Sequence, residues 1–538
     1  MYLGRLLNPR WGEPTREELS TITDKTGTLV PVDTQIALTD IKNGANCLTI
    51  LLVFEEKIKE GRLVDKVRMV ADGRSHTRVG STYSPTPSRE EFLILMHLCA
   101  VFGWNYYWLD ENRAFLSADR NDKRNLYAKF PGDYKYYLVA KALYGTKDAP
   151  RDYNIKVEKV VVGDLGFERL QLCNSLYITI RENNVVVVYD HVDDFIFTGD
   201  DDDATKTKIT EFRQHAKTNE PVKNADLVLG MEIQRDFSRH TIMIRMEKKI
   251  QDFAETHKEK VGKKTRKVPL PTTGYLVRDY EYEALSDDKK RFLDQKEICV
   301  YLAIVGMLIW LQGIRLDIIF AVLYLSWQTK APRQHHLDMA YYLIGYLKLT
   351  KTMPLVLGGT DPIQGHHFWD SSHGTGPKGR GITGIVNKLG LNSGAISAKA
   401  TKQKLPLCSS FEDELDGATN AFKHANRVDN VLTELNVKRV GRPIAYNDNQ
   451  AVIEFIKGDS VAKGVRHMEL RLWYTRLEYK AAKVDLGYCR GVDTPADKLT
   501  KPGCYTEHKT FTINIQGLNL LGYDYFESIL PQQNQVND

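Results

Sequence analysis

Acidic residues recur in this chain at places where a carboxylate could do chemistry. The most telling are Asp193 and Asp194, in VVVVYDHVDDFIFTGD (185–200). Four valines lead into a short polar turn, and the apolar run Phe195-Ile196-Phe197 leaves it. β-Branched and aromatic runs either side of such a turn read as a β-hairpin. Adjacent carboxylates at its tip repel one another, and a divalent cation relieves that repulsion. Mg²⁺ takes a few carboxylate oxygens together with substrate phosphates, the pairing used in phosphoryl transfer. Taken alone, the motif is also compatible with a solvated acidic turn.

A second set lies downstream. Asp370 follows an aromatic run in FWDSSHG, Glu412 and Glu414 open SSFEDELDGATNAFKHANRVDNVLTEL, Asp448 closes the strand of IAYNDNQAVIEFI, and Asp497 lies in TPADKLTKP. Singly, each is a helix cap or a surface charge. Together, two strand ends and two helix starts could bring Asp370, Glu414, Asp448 and Asp497 to one pocket of an α/β domain. Upstream, Asp110 closes the aromatic run of WNYYWLDENRAFLSAD.

Cations accompany the acids. Lys66 and Arg68 alternate with Val67 and Met69 in LVDKVRMVADG and so share one strand face. Gly145, Lys147, Pro150 and Arg151 in YYLVAKALYGTKDAPRDYN suit a backbone that approaches phosphates or a base pair closely. Lys399, Lys402 and Lys404 precede the long helix expected over 409–435, which Ser409 or Ser410 would cap.

The elements that must position these residues follow from the patterning. SREEFLILMHLCAVFG (88–103) is a helix with Ser88 as N-cap and Gly103 as stop. Residues 48–73 read as two strands around Gly61, a helix runs to about 164, and ATKTKITEFRQHAK is amphipathic. ADLVLGMEIQRD and HTIMIRMEKKI are strands. Residues 1–45 show no clear period, and the polar end from about Pro531 is expected to be disordered. TPADKLTKP opens a helix with Asp497 early in it.

The 538 residues carry a net charge of only +5, so any nucleic-acid surface must be local. Seven scattered cysteines without ligand spacing point to a reducing compartment. The apolar run VYLAIVGMLIWLQGI (300–314) is too short for a membrane span and reaches Arg315 and Asp317 at once, which reads as a buried helix. No signal peptide is expected.

In this order the pieces resemble the reverse transcriptase and RNase H part of a copia-type LTR retrotransposon polyprotein. LVDKVRMVADG is similar to the family's lysine–arginine strand, WLDENRAFL to its first catalytic acid motif, KALYGTKDAPRDY to its Leu-Tyr-Gly-Leu-Lys-Gln-Ala-Pro-Arg block, and DHVDDFIFTGD to its Tyr-Val-Asp-Asp box. LVLGMEI is similar to its Phe-Leu-Gly-Ile-Glu strand, and VGMLIWLQGIRLDIIFAVLYLS to the stretch between polymerase and nuclease. The resemblance covers most of residues 45–503.

It implies an α+β right-hand polymerase of fingers, palm and thumb, followed by an α/β RNase H-like domain. The expected divisions are 1–235 for fingers and palm, 236–355 for thumb and connection, 356–503 for RNase H and 504–538 for a C-terminal tail. Asp110, Asp193 and Asp194 would be the palm acids, Asp194 more peripheral, and Lys66 and Arg68 would meet the incoming dNTP. Phe115 would exclude a sugar 2′-hydroxyl, and Gly145, Lys147 and Arg151 would line the substrate path. Asp370, Glu414, Asp448 and Asp497, with Glu412 as an alternative to Glu414, would hydrolyse RNA in an RNA–DNA hybrid. His467 matches a family histidine. Each site would use two Mg²⁺ ions, or Mn²⁺. The partners would be an RNA template, a DNA primer, the hybrid and dNTPs, with a homodimer allowed and no membrane. The setting would be a cytoplasmic retroelement particle or the nucleus.

The chain departs from the family pattern in places. His191 replaces Tyr, Asp148 replaces Gln, Ser372 replaces a frequent second Asp, Leu415 replaces Tyr, and Cys489-Arg490-Gly491 lies where many RNases H carry a mobile His. The alternatives are a nucleic-acid-binding or domesticated relic, or a nuclease beside a dead polymerase.

Overall fold

The structure, a computed structural model, describes residues 9–59, 62–77, 81–181, 184–262, 266–272, 286–376, 379–404, 406–459 and 468–529. The turn expected at Gly61, His467 and the polar end after Pro531 lie outside the described residues. Chain contacts divide the molecule into two units, Met1–Pro87 with Tyr107–Lys223, and Ser88–Tyr106 with Asn224–Asp538.

In the first unit, β1 (Leu29–Val32), β2 (Asn46–Lys59), β3 (Arg62–Ala71), β5 (Leu126–Lys129) and β6 (Tyr136–Val139) form a sheet in the order β1-β6-β5-β2-β3. The alternation read in β3 is real: Val67 and Met69 are buried, Lys66 is exposed and Arg68 is half-buried. The second sheet holds β4 (Tyr106–Asp110), β7 (Glu168–Arg169), β8 (Leu176–Arg181), β9 (Asn184–His191), β10 (Asp194–Gly199) and β11 (Val222–Lys223), ordered β11-β4-β10-β9-β8-β7. In the expected hairpin β9–β10, Asp194 stands opposite His191, which leaves Val192 and Asp193 as a two-residue turn. Val185–Val188 are all buried. Val186, Val188, Phe195 and Phe197 form one core with Tyr153 and Val157 of the helix Ala149–Glu158 and Ile209 and Phe212 of the helix Asp202–His215. β8, with its run LYITIR, is a strand that the sequence reading passed over.

In the second unit the helix Arg89–Phe102 starts at a Ser88–Glu91 capping box and stops at the left-handed Gly103, as expected. β12 (Leu227–Val228), β13 (Met231–Asp236), β14 (Thr241–Arg245) and β15 (Leu355–Gly358) form a sheet in that order. The second pattern expected from residue 356 starts later, because Val356 lies in β15 and pairs with β14. The five-stranded mixed sheet begins with β16 (His366–Gly376) and continues with β17 (Arg380–Lys388), β18 (Ser397–Lys402), β19 (Ile444–Asn447) and β20 (Asp485–Tyr488), in the order β18-β17-β16-β19-β20. β16, β17 and β18 pair antiparallel, and β19 and β20 add parallel to β16. The helix Ser410–Glu434, capped by Ser409, lays Leu415, Ala418, Phe422 and Ala425 against Trp369 and Ile385 of this sheet. The expected fold class holds: an α+β arrangement followed by an α/β domain.

Three expectations need correction. The apolar run forms the helix Gln295–Leu311, but only one side is buried; Leu302 and Ile309 are 43% and 48% exposed. Asp497 opens no long helix: Asp497–Leu499 is a single 3₁₀ turn, and Pro502-Gly503 separates it from the helix Tyr505–Gln516. The stretch from 504 is folded over its described part, with Leu518, Leu521 and Phe526 packed on Met243, Met353 and Val356. Among the described residues, no helix is long and apolar enough to cross a membrane.

Arg315 and Asp317, which follow the apolar helix, form a fully buried pair. The guanidinium donates to both Asp317 oxygens at 2.9 and 2.7 Å and to the Thr350 carbonyl at 3.0 Å. The Tyr346 hydroxyl donates to Asp317 at 2.6 Å and meets His508 Nε2 of the C-terminal helix at 2.9 Å. Removing one member of such a pair leaves a buried charge without a counter-ion. Asp317→Leu is therefore expected to destabilise the chain by about 3–5 kcal/mol. Arg315→Met combined with Asp317→Leu should cost clearly less. Denaturant midpoints of the parent and the variants measure this.

Candidate active sites

Asp110, Asp193 and Asp194 lie in the first unit. Asp110 ends β4, and its backbone N–H donates to Asn219 Oδ1 at 2.8 Å. The Glu111 N–H donates to the Asp193 carbonyl at 2.7 Å, so the chain just past Asp110 is pinned to the turn carrying Asp193. Asp194 points elsewhere: it accepts the Trp108 indole N–H at 2.6 Å. Burial, with the charges of Asp193 and Asp110, pushes its carboxyl up to about 6. Beneath the turn, the buried Glu111 accepts from the Tyr153 hydroxyl and from Lys156, both at 2.6 Å. These acids are neighbours in the field each feels, yet they do not form a tight three-carboxylate group.

The other expected residues of this unit surround them. Phe115 packs edge-on to Tyr144 and Tyr153, with ring centres 5.6 and 5.7 Å away. Gly145 has φ 88°, and a Cβ there would lie 2.1 Å from the Ala71 carbonyl oxygen. Close packing on β3 is by itself enough to require glycine. Lys147 donates to the His76 carbonyl at 2.8 Å, and Arg151 to the Ser81 carbonyl at 2.7 Å and to Asp152 at 2.8 Å. In this structure both cations hold their own loops. Arg68 lies 3.4 Å from Glu55.

The downstream acids lie in the second unit and are gathered more tightly. Asp370, Glu414 and Asp448 each offer an oxygen within 4.8 Å of the others. Asp370 sits within β16 rather than at its end, because Ser371 and Ser372 continue the pairing with Thr383 and Ile382. Opposite Asp370 stands Gly384, where a Cβ would fall 2.6 Å from the Ala496 carbonyl oxygen. Glycine there lets the turn carrying Asp497 approach the strand. Thr500, from that same turn, donates to Asp370 Oδ2 at 2.6 Å. Glu414 is held by the Ser371 N–H and by Asn447 Nδ2, each at 3.1 Å. Glu412 turns away and accepts the Cys408 N–H at 2.9 Å. Asp497 is ion-paired with Lys501 at 2.6 Å and Lys498 at 3.0 Å.

Crowding and burial show in the electrostatics. Burial, then Asp497 and Asp448, pushes the Asp370 carboxyl up to about 6, and burial raises Glu414 and Asp448 as well. A hard divalent cation suits such an all-oxygen donor set. Of the three lysines that precede the helix Ser410–Glu434, Lys399 and Lys404 are exposed and Lys402 half-buried, and β-alternation places Lys399 and Lys402 on opposite faces of β18. The sequence reading missed Thr500, Asn447 and Trp108 as partners of these sites, since only folding brings them close. It also missed a pair beside the second site, the fully buried Asp413 with His373 Nδ1 at 2.5 Å.

Residues 36–265 match the family model described as reverse transcriptase (RNA-dependent DNA polymerase). The Retrovirus-related Pol polyprotein from transposon TNT 1-94 of Nicotiana tabacum is 24% identical over 481 residues, 86% of this chain and 35% of that protein. The corresponding polyprotein from transposon RE1 of Arabidopsis thaliana is 24% identical over 84% of this chain and 30% of its own length. The chain thus spans about a third of the length of these curated relatives. Among solved structures, the foamy viral protease-reverse transcriptase dRH in complex with ds DNA aligns with a TM-score of 0.48 at 13% identity, covering 90% of this chain and 70% of that one. Residues 36–265 thus match the reverse transcriptase family, and most of the chain is similar to the Pol polyproteins of these transposons.

Proposed function

We propose that this chain is an RNA-directed DNA polymerase with a C-terminal RNase H, copying a retroelement RNA into DNA and degrading the RNA of the hybrid. The observation that carries the reading is the order of its parts. A reverse-transcriptase match over 36–265 holds Asp110 and Asp193 at one sheet end. A separate α/β domain downstream crowds Asp370, Glu414 and Asp448 together. On this reading, 1–235 is fingers and palm, thumb and connection run from 236 through β15, and the nuclease begins with β16 at His366.

Divalent cations, Mg²⁺ or Mn²⁺ and two per site, would supply Lewis-acid neutralisation of charge developing on phosphoryl oxygens. Asp110, Asp193 and Asp194 would hold them in the polymerase, and Asp370, Glu414, Asp448 and Asp497 in the nuclease. Thr500 fixes Asp370, and Asn447 with the Ser371 N–H fixes Glu414, so those carboxylates need little reordering. The exposed Lys66 and half-buried Arg68 would meet the triphosphate of a dNTP. Phe115, wedged between Tyr144 and Tyr153, would restrict the sugar. Gly145, Lys147 and Arg151 would shape the path of the primer–template. A cytoplasmic particle or the nucleus, and a homodimer, belong to the same proposal. A second reading, a nuclease beside a dead polymerase, draws on the changed surroundings of Asp110 and Asp193, with His191 where the family pattern has Tyr.

Asp193→Asn is expected to lower primer extension on an RNA template by at least about 10²-fold while sparing hybrid cleavage, and Asp448→Asn should do the reverse. Survival of both activities in both variants would refute the assignments. Extension and cleavage assays on purified protein measure this.

A linked prediction concerns pH. A carboxyl whose folded value is raised to about 6 contributes stability that is complete below its unfolded value and is lost as pH rises through about 6. Metal-free protein should therefore lose melting temperature between pH 4 and 7 relative to Asp370→Asn. Mg²⁺ should raise the melting temperature of the parent at pH 7 and do so much less for the variant. Thermal melts across pH, with Mg²⁺ and with EDTA, measure both effects.

A further inference from the structure

Glu111 follows Asp110 at the end of β4, and only 2% of the residue is exposed. A carboxylate this buried is costly unless it is paired and hydrogen-bonded. Its partners come from the helix Ala149–Glu158, where Tyr153 and Lys156 lie three residues apart and share a face. Lys156 Nζ donates to Glu111 Oε1 and the Tyr153 hydroxyl to Oε2, each at 2.6 Å. Burial, then the charge of Glu111, raises the Tyr153 phenol well above its ordinary value, so it stays a donor.

Three elements meet on this residue. Lys156 Nζ also donates to Ser117 Oγ at 2.6 Å, and that hydroxyl lies 2.9 Å from Glu111 Oε1. Ser117 closes the 3₁₀ turn Phe115–Ser117, and the Phe115 ring stands edge-on to Tyr153. At the other end of the residue, the Glu111 N–H donates to the Asp193 carbonyl at 2.7 Å. The side chain thus joins the turn that carries Phe115 to the helix, and the amide of the same residue joins both to the turn that carries Asp193.

We infer that Glu111 is a positioning residue: its carboxylate, clamped by Lys156 and Tyr153, holds the turn that presents Asp193 and the turn that presents Phe115 in one fixed arrangement. The inference rests on the roles proposed above for Asp193 and Phe115. Its structural half, the coupling of Glu111 to Lys156, is tested without them.

The test begins with melts of the parent, Glu111→Gln, Lys156→Met and the double variant. Each single change should lower the melting midpoint by about 2–4 °C, and the double change should lower it by clearly less than the two together. Additive effects overturn the clamp whether or not the chain extends primers. Primer extension on an RNA template then follows, at a temperature where the melts show every variant folded. Glu111→Ala should lower kcat about 10-fold and also narrow the preference for dNTP over rNTP, because the Phe115 turn is released together with the Asp193 turn. Glu111→Gln, which keeps the shape and one acceptor oxygen, should retain more of both. Coupled melts with kcat and sugar preference unchanged in Glu111→Ala refute the positioning role, as does a fall in kcat with the sugar preference intact, which would leave the two turns unlinked. If the parent extends no primer, the polymerase reading fails, and the melting cycle alone decides whether Glu111 clamps the turns.

Discussion

Three carboxyl groups held close together are the constraint that the fold of the second unit has to meet. Asp370, Glu414 and Asp448 bring oxygens within 4.8 Å of one another in a largely buried setting. Burial and mutual repulsion raise their affinity for protons. A fold tolerates such crowding when its scaffold forces it. Here β16 and β19 run parallel, the helix Ser410–Glu434 lies against them, and Gly384 admits the turn bearing Asp497 and Thr500. The lysines that answer the charge, Lys498 and Lys501, sit on Asp497 and leave the inner three carboxylates facing one another.

Asp110, Asp193 and Asp194 obey the same constraint differently. Their positions are set by backbone, through the two-residue turn of β9–β10 and the Glu111–Asp193 bond. Their charge is spread: Asp194 is tied to Trp108, and the underlying Glu111 to Tyr153 and Lys156. The tip residue, Val192, has φ 65°, a conformation that a β-branched residue adopts only where its surroundings enforce it.

Much of this was legible in the amino-acid sequence where the signals are local. The helix Ser410–Glu434 and its Ser409 cap follow from periodicity and capping chemistry, as does the helix Arg89–Phe102 between Ser88 and Gly103. The hairpin at 184–199 follows from its valines and aromatics. What escaped notice depends on tertiary contact. Thr500 and Asn447 reach Asp370 and Glu414 only once the strands and the turn after them are assembled. Asp497 looked like the start of a helix, yet Pro502-Gly503 limits it to one 3₁₀ turn. The apolar run at 300–314 has no polar face to betray which side is covered, and its exposed Leu302 and Ile309 could not be foreseen.

The most direct test of a polymerase and a nuclease in one chain is a single reaction. A DNA primer is extended on a 5′-labelled RNA template, with both strands followed in Mg²⁺ and in EDTA. Mg²⁺-dependent growth of the DNA together with shortening of the RNA is the predicted result. Tight binding of the primed template with neither strand changed, in Mg²⁺ and Mn²⁺ alike, would contradict it and leave a nucleic-acid-binding relic.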